Sequence, residues 1–267
     1  MEPRTFDVTD RLHLRMRIRS GNIHITQTDS ATATVHVTGE RAGEEISVET
    51  DDSSSRTRLQ VVQPKGVGGW SMRGGALQID IEVPRKTVAD IVTGAGDLII
   101  DGTLAELAFQ SGSGDARIAA VAGSLQVRSA SGDIRVGDIE GDVSLTTASG
   151  DVEIGSIGGS LHARSASGDM EIGHLSGDGR ATSASGDITI GSASADLTLQ
   201  SVSGDIEVGV PGGKRVWFDL ASTSGDTVSE LEPSDADGAG SSAAIRATTV
   251  SGDIRILRAH SHNGSPV

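Results

Sequence analysis

Aspartates recur at positions 97, 115, 133, 151, 169, 187 and 205, and every step is 18 residues. Six consecutive intervals without insertion or deletion mark one structural unit used repeatedly. A short fixed period of this kind confines the chain to stacked coils, because a single unit cannot bury its own apolar face. Glycine precedes each of these aspartates, usually in Ser-Gly-Asp. Asp226 follows after 21 residues and Asp253 after 27. Two coils therefore carry insertions, near 210–216 and 229–242. Each coil nearly repeats at half its length, as in Gly132-Asp133, Gly141-Asp142 and Gly150-Asp151. A coil thus reads as two short strands and two turns.

Columns taken at the 18-residue period separate inside from outside. One column is Leu98, Ala116, Ile134, Val152, Met170, Ile188 and Ile206; two residues on lie Ile100, Ile118, Val136, Ile154, Ile172, Ile190 and Val208. The column between them is mostly polar, with Arg117, Arg135, Glu153, Glu171 and Glu207. Alternation at period two is a strand with one buried face. The second strand shows the same pattern through Leu107, Leu125, Val143, Leu161 and Leu197. The expected fold is all-β, a parallel β-solenoid of 18-residue coils over 96–258, capped by an irregular N-terminal β region over 1–95 and followed by a disordered tail at 259–267. Strand candidates in the first part are Thr32–Thr38, Glu45–Thr50, Arg58–Gln63, Leu77–Val83 and Val88–Thr93. Residues Met16 to Ile25 look like a degenerate repeat. Terminal repeats are atypical because they must close the core.

Composition agrees with this frame. The 267 residues include 36 glycines but only three Phe, two Trp and no Tyr. A β-sandwich anchors its core on aromatics, whereas a narrow solenoid core fills with Ile, Val, Leu and Ala. Absence of cysteine removes disulfides and thiol chemistry. A formal charge of −15 disfavours nucleic acid and anionic lipid as partners. The start, Met1 to Asp10, lacks the basic and apolar runs of a signal peptide. No transmembrane segment is expected, since no run approaches 18 apolar residues. The expectation is a cytoplasmic protein.

Gly21-Asn22-Ile23-His24-Ile25 near the start, Ile81-Glu82-Val83-Pro84 midway and the iterated Ser-Gly-Asp-Ile-x-Val strands together resemble the "putative adhesin" β-strand-repeat family of bacterial proteins, which includes LiaG-like members. The likeness covers nearly the whole chain. It implies a β-repeat fold without an established activity, and a link to cell-envelope stress.

Three features are candidates for chemistry. The first is the aspartate ladder. Carboxylates stacked at about 4.8 Å repel by somewhat under 1 kcal/mol per pair in water, which a cation would relieve. Yet the calcium β-roll pattern is Gly-Gly-x-Gly-x-Asp-x-apolar-x, and here each Asp directly precedes an inward residue. The favoured reading is that each Asp accepts a hydrogen bond from a turn N–H. The second is the hydroxyl pairs Ser129/Ser131, Thr147/Ser149, Ser165/Ser167, Ser183/Ser185 and Ser201/Ser203, read as satisfying turn backbone. No His or Lys recurs beside them to activate a nucleophile.

The third is the pair of tryptophans. Trp70 lies in a glycine-rich segment, Gly66–Gly75, with Met72 and Arg73; it lacks Gly-Lys-Ser/Thr and is not a phosphate loop. Trp217 counts into the outward column of Asp142 and Asp178, one residue before inward Phe218. It is expected to be sheltered by the 229–242 insertion, with an exposed contact site as the other reading. Trp70, Met72, Arg73 and Trp217 are therefore the candidate interaction residues. The histidines lack zinc spacing, no carboxylate pair stands apart, and no cofactor is expected. The sequence points to a non-enzymatic structural or interaction scaffold, adhesin-like, with protein as its partner. A calcium-binding repeat module and an end-to-end filament protein are the alternatives.

Overall fold

The structure, a computed structural model, describes residues 2–39, 47–51, 57–63, 77–213, 215–231 and 242–259. It is all-β. The chain forms two compact units, Met1–Ile139 and Glu140–Val267. Among the described residues no helix is long and apolar enough to cross a membrane.

The first unit holds β1 (Arg4–Asp7), β2 (Leu12–Ser20), β3 (Asn22–Thr28), β4 (Thr32–Thr38), β5 (Ser47–Asp51), β6 (Thr57–Val62), β7 (Gln78–Pro84), β8 (Val88–Ala95), β9 (Leu98–Leu104), β10 (Glu106–Ser113), β11 (Ala116–Val121), β12 (Leu125–Ser129) and β13 (Ile134–Ile139). Strand order within it is β1-β4-β7-β3-β9-β11-β13 in one sheet and β5-β6-β2-β8-β10-β12 in the other. From β8 onwards each coil pairs in parallel with the one 18 residues away, for example Phe109 with Val127 and Ile118 with Val136. The β2–β3 coil does not sit first. It lies between the β6–β7 coil and the β8–β9 coil. The irregularity of the N-terminal region has a further source: β1, β4 and β5 are antiparallel additions, β4 on β7, β1 on β4 and β5 on β6. The chain turns from β7 to β8 at Arg85-Lys86-Thr87. There Lys86 takes a left-handed φ of 65°, and the buried Thr87 hydroxyl donates to Pro84 O at 2.7 Å.

The second unit holds β14 (Val143–Thr147), β15 (Val152–Ile157), β16 (Leu161–Ser167), β17 (Met170–Leu175), β18 (Gly179–Ser185), β19 (Ile188–Ala193), β20 (Leu197–Ser203), β21 (Ile206–Val210), β22 (Arg215–Ser224), β23 (Thr227–Ser229), β24 (Ser242–Ser251) and β25 (Ile254–Arg258). Its strands run β15-β17-β19-β21-β25-β23 and β14-β16-β18-β20-β24-β22. The last coil in sequence, β24–β25, is thus next to last in space, and β22–β23 forms the edge. The two insertions read from the sequence are where the chain steps over one place and then back. A parallel neighbour is about 4.8 Å away, so skipping one place asks for about 5 Å more reach, which two extra residues span.

Each coil buries more than the two pairs of columns read from the sequence. Ile134 and Val136 are followed by outward Asp138 and then buried Ile139, so the strand bends at Gly137 and gains a third inward column. Leu104, Val121, Ile157 and Leu175 continue it, each at most 1 % exposed. The other strand ends inward on a hydroxyl: Ser111, Ser129, Thr147, Ser165, Ser183 and Ser201 are all buried. Burying each Ile, Val or Leu contributes roughly 1.5–3 kcal/mol, and a coil inside either unit is covered by the neighbours stacked on it.

Candidate functional site

The periodic polar residues are taken up by the frame. In the first unit the Asp115 N–H donates to Asp97 Oδ1 at 3.0 Å and Asp133 N–H to Asp115 Oδ1 at 2.9 Å. In the second, Asp169, Asp187 and Asp205 each donate to the Oδ1 of the Asp one coil earlier, at 2.9, 2.8 and 2.7 Å. The ladder then follows space rather than sequence. Asp253 N–H donates to Asp205 Oδ1 at 2.8 Å, and Asp226 N–H to Asp253 Oδ1 at 2.9 Å. Asn22 holds the same place for Asp97, at 3.2 Å. This bears out the turn-bonding reading of the ladder, with the donor coming from the adjacent coil. The glycine before each Asp is required by geometry. Gly132 and Gly168 have φ of 109° and 103°, and a Cβ on either would collide with the carbonyl of the corresponding glycine one coil back, Gly114 or Gly150.

Inward hydroxyls act similarly. Those of Ser111, Ser129, Thr147 and Ser165 donate to the carbonyl two residues on, at 2.9–3.1 Å. Ser183 Oγ is buried without a partner. A second ladder runs on the other side of the coil: Asp142 Oδ1 accepts from both the N–H and the hydroxyl of Ser160, each at 2.8 Å. Those two bonds, the backbone one first, hold the Asp142 carboxyl below the usual carboxylate range. Asp196 Oδ1 accepts from Ala244 N–H at 2.8 Å.

Among the described residues no three His, Cys, Asp or Glu side chains converge as a metal site. A shallow groove of ≈ 690 Å³ runs over Gly155, Gly173, Gly191 and Gly209. Its charged lining is Glu171, Glu207 and Arg258, and His174 beside them contacts Ser176 Oγ at 3.1 Å.

The period-breaking end of the second unit differs. Among the described residues, strands β22 and β23 are paired on one side only, β22 with β24 and β23 with β25. The inward residues of β22, Val216, Phe218 and Leu220, are only half-buried, whereas their counterparts on β24, Ala243, Ile245 and Ala247, are at most 5 % exposed. Trp217 pairs with Ala244 in register, which continues through Asp196 and Asp178, so the outward column assigned from the sequence holds. Its expected shelter does not: Trp217 is 58 % exposed. The reversal of coil order accounts for this, because β22 lies at the edge and its outward neighbour is only an alanine. Val202, Val228 and Val250 are also exposed, on β20, β23 and β24. Of five large apolar residues exposed among the described residues, four therefore lie on the coils nearest this edge. Trp70, Met72 and Arg73 lie outside the described residues, as do 260–267 of the tail and 232–241 of the insertion.

The sequence model of Toastrack DUF4097 matches residues 12–257. The chain belongs to the Toastrack DUF4097 family. A comparison with curated proteins gives no match. Solved structures similar to this Toastrack chain include a "putative adhesin" from Bacteroides fragilis, 17% identical over 96% of both chains with a TM-score of 0.44. Another is a "putative lipid binding protein" from Parabacteroides distasonis, 17% identical over 96% of both chains with a TM-score of 0.46. A "putative adhesin" from the same organism is 11% identical over 95% of both chains, with a TM-score of 0.37. At these TM-scores the likenesses carry no inference about what the Toastrack chain binds.

Proposed function

We propose that the protein is a non-enzymatic, adhesin-like interaction scaffold whose working surface is the open β22–β23 edge. The observation that carries this reading is the edge coil itself, where Trp217 on β22 and Val228 on β23 are exposed, with Val216, Phe218 and Leu220 of β22 only half-buried. An unpaired strand edge offers a row of N–H and C=O groups to an added strand, and the under-covered inward face of β22 leaves apolar surface for that strand to bury. The partner class is protein, because strand addition needs a peptide backbone. The resemblance of the repeat to the "putative adhesin" β-strand-repeat family supports the scaffold reading, and its LiaG-like members give it a cell-envelope stress context.

The aspartate ladder is the frame in this reading. Oδ1 of Asp151, Asp169 and Asp187 each already accepts a backbone N–H from the next coil. The test is comparative capture from cells by the full chain. Trp217→Glu is expected to lose the bound proteins, and Asp169→Asn to keep them. Loss with Asp169→Asn but not with Trp217→Glu would overturn the reading, as would turnover of a glycan or peptide abolished by a single carboxylate substitution.

A further inference from the structure

The edge carries a charge pattern that selects its own copy. Outward side chains along β22 run Arg215, Trp217, Asp219, Ala221 and Thr223, and inward ones run Val216, Phe218, Leu220 and Ser222. Asp219 Oδ2 also accepts from Arg246 Nε at 2.9 Å, on the neighbouring β24. An added strand must keep inward residues facing inward, because a one-residue slip moves every side chain to the other face. For β22 meeting a second β22 in antiparallel sense, every register centred on a residue keeps that alternation, so the outward side chains choose among them. Centring the pair on Asp219 sets two carboxylates opposite each other. Centring it on Phe218 sets Trp217 opposite Asp219. Centring it on Trp217 sets Arg215 opposite Asp219 twice, by symmetry, with Val216 opposite Phe218 and the two tryptophans facing at the dyad. Opposite charges and aromatic pairs across strands favour pairing, and like charges oppose it.

We infer that the β22 edge docks on a second copy of this chain, forming a closed two-fold dimer centred on Trp217. This rests on the edge being the working surface, and adds who the partner is. The interface is isologous, so it uses up the edge and stops at two. A head-to-tail filament is a poorer fit. The edge strands of the first unit, β1 and β5, are four and five residues long, against ten for β22.

The chain lacks cysteine, which permits a direct test. In the full-length protein, Trp217→Cys places one thiol at the dyad, and Cα separations across an antiparallel pair, about 4.5–5.5 Å, fall within disulfide range. Mild oxidation is expected to give a covalent dimer, while Ala221→Cys, displaced from the dyad, stays uncrosslinked. Arg215→Glu and Asp219→Lys are each expected to weaken self-association about tenfold through like-charge opposition. Mixed together, those two variants are expected to form a heterodimer, since both charge pairs are then restored. Sedimentation of the wild type as a monomer at all concentrations, or as an open-ended polymer, would overturn the inference. So would crosslinking at position 221 in place of 217, or dimerisation indifferent to both charge changes. A monomer that still captures cellular protein through Trp217 would overturn the dimer and leave the scaffold reading standing.

Discussion

Asp187 offers a way to weigh what the ladder does. Its N–H donates to Asp169 Oδ1 at 2.8 Å, and its Oδ1 accepts from Asp205 N–H at 2.7 Å. Replacement by Ala removes one acceptor and two like-charge neighbours. Replacement by Asn removes the same charge but keeps an oxygen where Oδ1 stands. The difference between the two variants therefore isolates the hydrogen bond, about 1 kcal/mol. The charge terms oppose it: each neighbouring pair at about 4.8 Å repels by somewhat under 1 kcal/mol in water. Asp187→Asn is thus expected within about 0.5 kcal/mol of the wild type, trading a stronger charged bond for relief of repulsion. Its relative standing improves at low salt, where that relief is largest. Asn22 shows that an amide serves in this position. Urea unfolding followed by circular dichroism at two salt concentrations reads both effects. Equal stability of the Ala and Asn variants would refute the bonding argument. A wild type far more stable than Asp187→Asn, with the gap growing on addition of Ca²⁺, would mean that the ladder works by holding cations.

Ser165→Ala loses a buried hydroxyl bonded to Ser167 O at 2.9 Å and is expected to cost about 1 kcal/mol. Ser183→Ala removes a buried hydroxyl without a partner, so it is expected to be neutral or stabilising when both variants are compared by thermal melts; equal losses for both would contradict this. Gly168→Ala forces a side chain onto a φ of 103° and into the Gly150 carbonyl, and is expected to cost at least about 1–3 kcal/mol. An unchanged unfolding midpoint would show that the turn does not need glycine. For Asp142 the folded pKa lies below the unfolded value. The stabilisation is therefore complete above about pH 4 and is lost as pH falls through the depressed folded value. A carboxylate NMR titration of Asp142 is expected to fall below those of unbonded aspartates, and Ser160→Ala to raise it partway, because the backbone donor remains.

The repeat period made most of the fold legible. It places Leu98 through Ile206 inside, pairs coils at 18 residues and even puts Trp217 in the right column, since parallel stacking conserves register. The same regularity conceals coil order. Any coil presenting Gly-Asp and the inward columns can stack on any other, so nothing periodic says that β24–β25 lies between β20–β21 and β22–β23. Only the extra residues near 210–216 and 229–242 hint at it, and they read equally well as surface insertions. Coil order in turn decides the site. It leaves β22 at an edge and Trp217 uncovered, where stacking in sequence order suggests shelter. The third inward column, Ile139 and its equivalents, is present in the sequence, but the bend at Gly137 breaks the period-two pattern that marks a strand.

Hydrogen exchange of the full chain, measured dilute and concentrated, tests the central claim that function lies at the open edge and not in the ladder. In dilute solution the amides of β24 are expected to be slow, as in an interior coil, and those of β22 fast along the unpaired side, although β22 comes earlier in the sequence. On concentration β22 is expected to gain protection around Trp217, while the Gly-Asp turns stay unchanged. Exchange of β22 as slow as β24 in the dilute protein, or protection gained at the turns rather than the edge, would contradict the account.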